Sequence, residues 1–185
     1  MSEIDSLLNQ LNVDDKINLD DIPELDLYMD QVIQLFESKL SGLKRNEDDK
    51  VLTKTMINNY AKAKLLMSIK NKKYSKEHLI LMSLIYDLKG GLSISDIKLL
   101  LDNIVQKYEN KEDYDLRGLY NKYLDICKED SDEFKESVKE KVDKLSDNEE
   151  FEEKFLMVCS MISMSNMYRR MGEKLIDEFF IKDDK

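Results

Sequence analysis

Apolar residues recur at steps of three and four along most of this chain, and the points where that rhythm starts and stops predict a series of helices. The first twenty residues carry a weak version of it in Ile4, Leu7, Leu8 and Leu11, followed by a polar, Asp-rich connection, so residues 1–20 are expected to be loosely held. Ile22-Pro23 interrupts any helix, because the ring removes a donor and pushes the preceding residue towards extended geometry. The stripe Leu25, Tyr28, Met29, Val32, Phe36 and Leu40 predicts a firm helix over about 25–40, stopped at Ser41-Gly42. After the charged loop 43–49, the Thr53 hydroxyl can cap a short helix with Met56, Ile57, Tyr60 and Ala61 on one side and Thr55, Asn58, Asn59 and Lys62 on the other. Residues 69–74 fit either a small hairpin or an irregular wing. Ser75 is the N-cap of a helix reaching Lys89, with Leu79, Met82, Ile85, Tyr86 and Leu88 inward and Gly90-Gly91 as its end. Ser93 or Ser95 starts the next, which turns Ile94, Ile97, Leu100, Leu101, Ile104 and Tyr108 inward.

Beyond Tyr108 the rhythm predicts three more helices. One, about 112–128, buries Leu116, Leu119, Tyr120, Tyr123 and Leu124; a second, about 130–145, carries the seam Phe134, Val138, Val142 and Leu145. The third, from about 148 to 171 or on to Phe180, is apolar around much of its middle and includes Met157, Met161, Met164, Met167 and Met171, a set expected to be core, with an adaptable ligand or partner surface as the alternative.

Composition supports the all-α reading. One proline and five glycines in 185 residues are too few for the turns of a sheet protein of this length. Residues 1–20 then form a loose N-terminal segment, 21–108 a helical domain, and 109–185 an acidic helical region suited to homodimerisation (through 109–180) or partner binding. The two cysteines, Cys127 and Cys159, lack the spacing of a metal knuckle or a redox pair and are expected to be reduced and buried. The apolar run Phe155–Tyr168 is shorter than the ~20 residues that span a bilayer, and the first residues, MSEIDSLLNQ, are acidic and lack a signal's apolar region. Cytoplasmic residence without membrane contact is therefore expected.

Charge changes the picture at one place. The chain sums to −10, yet the 27 residues Lys50–Lys76 hold eight lysines and no acid. Beyond Tyr108 there are 22 acids against 14 bases. Contact with a polyanion must be local, and this island is where it would fall. Catalysis has little to stand on: His78 is the single histidine, expected on a helix surface, and no nucleophile has a recognisable partner. The carboxylates fall in runs that read as solvated faces. Phosphate-loop, dinucleotide and calcium-loop motifs are missing from the sequence, so no enzyme activity, no cofactor and no metal are expected.

Thr-Met-Ile-Asn-Asn-Tyr, Leu65-Leu66, Lys-Lys-Tyr-Ser, Leu-x-x-Met-x-x-Ile and Leu-Ser-Ile-x-x-Ile, in that order, resemble the winged helix-turn-helix of the MerR-type transcriptional regulators. The resemblance implies that Tyr60 replaces the second aromatic of the recognition helix, Asn58 its arginine and Lys64 the glycine leading into the wing, with Lys72, Lys73 and Tyr74 closing that wing. Leu27–Val32, Leu52–Tyr60 and Lys73–Ile85 are more similar still to an uncharacterised bacterial family known only as a domain of unknown function. The similarity spans about residues 20–105. It implies a MerR-like DNA-binding transcriptional regulator acting on double-stranded DNA, in which Lys54, Lys62, Lys64, Lys70, Lys72 and Lys73 meet phosphates and Thr55, Asn58 and Asn59 reach base edges; the effector stays unspecified. The rival expectation is a protein-interaction module on the same scaffold, without DNA binding, whose acidic half docks a basic partner.

Overall fold

The computed structural model describes residues 3–145 and 151–181, and among them seven α-helices and one two-stranded antiparallel sheet form. The helices are α1 (Glu3–Gln10), α2 (Met29–Leu40), α3 (Lys54–Lys62), α4 (Lys76–Leu88), α5 (Ile94–Glu109), α6 (Leu116–Leu145) and α7 (Phe151–Phe179); the strands are β1 (Leu27–Tyr28) and β2 (Lys73–Tyr74). The chain divides into two compact units, residues 15–125 and residues 1–14 with 126–185. Among the described residues, no helix is long and apolar enough to cross a membrane.

The unit 15–125 is built around α4. Its sequence runs Leu79-Ile80-Leu81-Met82-Ser83-Leu84-Ile85, and every one of those residues is buried, so this helix is covered on all sides and not on one face as its spacing alone predicts. Val32, Phe36 and Leu40 of α2, Ile57 and Tyr60 of α3, Ile97, Leu101 and Ile104 of α5, and Leu116 and Tyr120 of α6 belong to the same core. Each such side chain removed from water contributes about 1.5–3 kcal/mol. The buried Ser83 is satisfied by Tyr120: the tyrosine hydroxyl gives its one proton to the Ile17 carbonyl (2.7 Å) and accepts from the Ser83 hydroxyl at 2.8 Å.

That pairing moves two expected boundaries. Ile17 has no exposed surface, so the segment ahead of Pro23 is fastened to the core by residues 15–22. Leu116 and Tyr120 have none either, and the unit therefore closes at Asp125 and not at Tyr108. The expected break between helices at 128–130 does not occur: Cys127-Lys-Glu-Asp-Ser131 holds no glycine or proline, and α6 runs through it. Helix α2 starts at Met29 and not at Leu25, because Leu27 and Tyr28 pair with Tyr74 and Lys73 as β1 and β2. Ile94, expected inward, is 45 % exposed; its neighbour Ser93 is the cap of α5, accepting from the Asp96 N–H while the Asp96 carboxylate accepts from the Ser93 N–H.

In the other unit Leu8 of α1 and Ile176 of α7 are buried, and Lys139 pairs with Asp5 at 2.9 Å while Lys135 and Ser131 hold Asp14. Those two partners, Lys135 first, keep the Asp14 carboxyl below its ordinary range. Met157, Met161 and Met164 are half-buried and Met167 and Met171 are exposed, so none of the methionine set lies in the buried core, against expectation. Cys127 is half-buried and Cys159 exposed, against the expectation of buried thiols. Leu145 has no described side-chain surroundings, whereas Val138 and Val142 are half-buried and Phe134 is 38 % exposed.

Candidate nucleic-acid interface

Helix α3 forms where expected. The Thr53 hydroxyl accepts from the Met56 N–H at 3.2 Å, Ile57 and Tyr60 are buried, and burial raises the Tyr60 phenol above its ordinary pKa. Thr55, Asn58, Asn59 and Lys62 are exposed together on the opposite face, with Lys54 at the N-terminal turn. At its end the Leu65 N–H bonds to the Tyr60 carbonyl and the Lys64 N–H to the Ala61 carbonyl, each at 3.0 Å. This double closure needs a left-handed residue, and Lys64 supplies it at φ 58°.

Residues 70–73 form a hairpin. Lys70 and Lys73 face each other across a two-residue turn, Asn71 and Lys72 both have positive φ (53° and 60°), and the Lys73 N–H donates to the Lys70 carbonyl at 2.9 Å. Two left-handed residues in succession make a turn whose twist matches the paired strands, a geometry usually signalled by Asn-Gly. Lys70, Asn71 and Lys72 are exposed at the tip.

The start of α2 brings these two basic elements together. The Lys54 ammonium lies 2.8 Å from the Asp30 carboxylate, and the Lys73 ammonium lies 5.1 Å from the ring centre of Tyr28, two residues earlier. The first turn of α3 and the second strand of the hairpin therefore flank residues 28–30. Lys76 leaves the set: it is buried and paired with Glu24 at 2.8 Å. Lys73 is half-buried beneath its cation–π contact, while Lys54, Lys62, Lys64, Lys70 and Lys72 are exposed. Tyr28 and Asp30 complete the surface, and neither could be assigned to it from periodicity, which placed Tyr28 on an inward stripe.

His78 is buried, not on a helix surface. The Ser75 N–H points at its Nδ1 (3.2 Å), which must therefore be unprotonated, so Nε2 carries the hydrogen and donates to the Met67 carbonyl at 3.3 Å. Burial lowers its pKa, the Met67 carbonyl and nearby acids opposing this in part. Both nitrogens are thus committed, leaving no lone pair for a metal or a proton transfer. The ring lines a cleft of about 320 Å³ with Asp26, Lys70, Lys73, Tyr108 and Lys111. A groove of about 560 Å³ beyond it is lined by Lys64, Leu66, Lys98, Asp102 and Gln106. Among the described residues no three metal-binding side chains come together.

The unit 15–125 is thus a helical domain with a small sheet and a short, outward-facing basic helix. The chain belongs to the family described as Domain of unknown function (DUF1836), which matches residues 17–123, almost the whole of that unit. No curated protein and no solved structure matches it.

Proposed function

We propose that the unit 15–125 binds double-stranded DNA and serves a cytoplasmic, non-enzymatic transcriptional regulator, with α2 and α3 acting as a MerR-like helix-turn-helix and the 70–73 hairpin as its wing. One observation carries this reading: the uncovered polar face of α3 and the lysine-tipped hairpin converge on residues 28–30. Exposed amides on a short capped helix suit base edges in a major groove, where an asparagine can pair with both adjacent groups of adenine. Flanking lysines suit phosphates. Two of those lysines, Lys64 and Lys72, stand at left-handed positions that glycine fills at lower cost, as expected where a charge is kept for a purpose outside stability. The 13 residues between Leu40 and Lys54 exceed a tight helix-turn-helix turn, so the presentation of α3 depends on Val51 and Leu52, both buried.

A second reading, a protein-interaction module, is favoured by the ion pair that already occupies Lys54 and by Asp26 beside Lys70 and Lys73. Duplex titrations separate the two. Under the DNA reading, Asn58→Ala and Asn59→Ala leave the salt slope unchanged and cut discrimination at one base pair by roughly 1–3 kcal/mol. Sequencing of DNA recovered with the protein from its cells supplies the duplex; recovery of no enriched sequence, with no binding at low salt, favours the module.

A further inference from the structure

Helix α7 carries apolar surface that its own unit leaves uncovered. Phe151, Phe155, Val158, Cys159 and Ile162 recur at steps of four, three, one and three, which places them on one stripe, and the four large ones are 76, 56, 63 and 58 % exposed. The opposite side of the same stretch, Met157, Met161 and Met164, is half-buried. Phe151 and Phe155 stack on each other at 6.1 Å between ring centres while remaining open to water. A shallow groove continues the stripe past Ser163 and Asn166 to Arg170. With aromatic side chains offering about 150–250 Å² each, the stripe leaves on the order of 500 Å² of apolar surface per chain in water, a size at which an exposed patch is often functional.

We propose that this stripe is the interface of a homodimer in which two α7 helices pair antiparallel. Charge selects the occupant and its direction. Glu152 and Glu153 lie in the first turn of the stripe, followed by Lys154, and Arg169 and Arg170 lie beyond its end; all are at the surface except the half-buried Glu153, and Arg169 is paired with Glu173 at 2.6 Å. A second copy running in the opposite sense lays each acidic end beside the other's basic end, with the helix dipoles opposed, while a parallel copy sets acid on acid and base on base. With Glu152 opposite Arg169, Cys159 of one chain faces Ile162 of the other across the two-fold axis, and Val158 faces Ser163. Two copies of the stripe bury on the order of 1,000 Å², the lower bound for a specific pair. The inference concerns the unit outside the family match and stands whether or not the unit 15–125 binds DNA.

Sedimentation equilibrium of the full chain tests it, against a monomer of 21.8 kDa. The expected result is a dimer whose dissociation constant rises at least tenfold in Ile162→Glu and in Val158→Glu, with far-UV circular dichroism and thermal midpoint of the monomer unchanged because both positions are exposed. Arg169→Glu weakens the dimer, and Glu152→Arg added to it restores most of the loss; in a parallel pair the second change restores nothing. A monomer at every concentration up to 100 μM overturns the proposal, as does a dimer indifferent to both glutamate variants. Capture of the monomer by neutral or anionic lipid vesicles, abolished by Ile162→Glu, overturns it in favour of a membrane surface. Failure of any arm leaves the DNA titrations unaffected, because no residue of α3 or the hairpin is altered.

Discussion

Lys64, Lys72 and Lys111 are lysines in a backbone conformation that costs an L-residue about 1–2 kcal/mol, whereas no described glycine of the chain adopts it. Lys64→Gly is therefore expected to stabilise the protein by about 1 kcal/mol, read as a higher urea midpoint at constant slope, and to lower the salt dependence of DNA binding by about one unit. Unchanged or reduced stability would show that the closure at Tyr60 and Ala61 does not form. His78 gives a second test. Its pKa is depressed in the folded state, so between that value and the unfolded value near 6.5 the unfolded chain binds the extra proton. Stability is complete above pH 6.5 and is lost as the pH falls through this window. Below about pH 4.5 further loss comes from carboxyls held low in the fold, Glu77 among them: burial raises it, but its own N–H, Arg117 and Ser75 outweigh burial. The single histidine makes the check direct, since one imidazole resonance reports it, and a native pKa at or above 6.5 would refute the burial argument.

At the level of elements, the helices were largely legible in the sequence because the three-four rhythm is strong and Thr53, Ser75 and Ser93 mark helix starts. Three things were not legible. The sheet pairs two residues with two others almost fifty positions away, and so short a strand shows no alternation. The hairpin is one of two readings of residues 69–74, undecided because its turn, Asn71-Lys72, lacks the glycine that announces one. Tyr28 and Asp30 join the site only through tertiary contacts with Lys73 and Lys54. For α3 itself, Tyr60→Ala should cost roughly 3–5 kcal/mol, because the ring is core, and Thr53→Ala about 1 kcal/mol, both measured by denaturant titration. Asp30→Asn frees Lys54 from an exposed ion pair worth about 0.2–1 kcal/mol, so it should tighten low-salt DNA binding roughly two- to fivefold without altering stability by more than that. No change in affinity would remove Lys54 from the interface.

For the whole molecule, the balance of charge is divided unevenly. Residues 15–125 hold 18 bases and 19 acids, leaving −9 of the total −10 on the remainder. A chain ending at Tyr108 loses Leu116 and Tyr120 from its core and is expected to unfold, whereas residues 15–125 are expected to melt cooperatively. Freed from the acidic remainder, that piece should bind mixed-sequence DNA more tightly at low salt than the full chain. The most direct measurement is titration of the full chain against a fluorescent duplex at three salt concentrations, beside a variant with Lys62, Lys64, Lys70 and Lys72 changed to Gln, both shown to be folded by their melting curves. DNA binding through α3 and the hairpin predicts that the variant loses affinity for every sequence and that its salt slope falls by about one unit per lysine in contact. Equal affinity and an equal slope in the folded variant would contradict it.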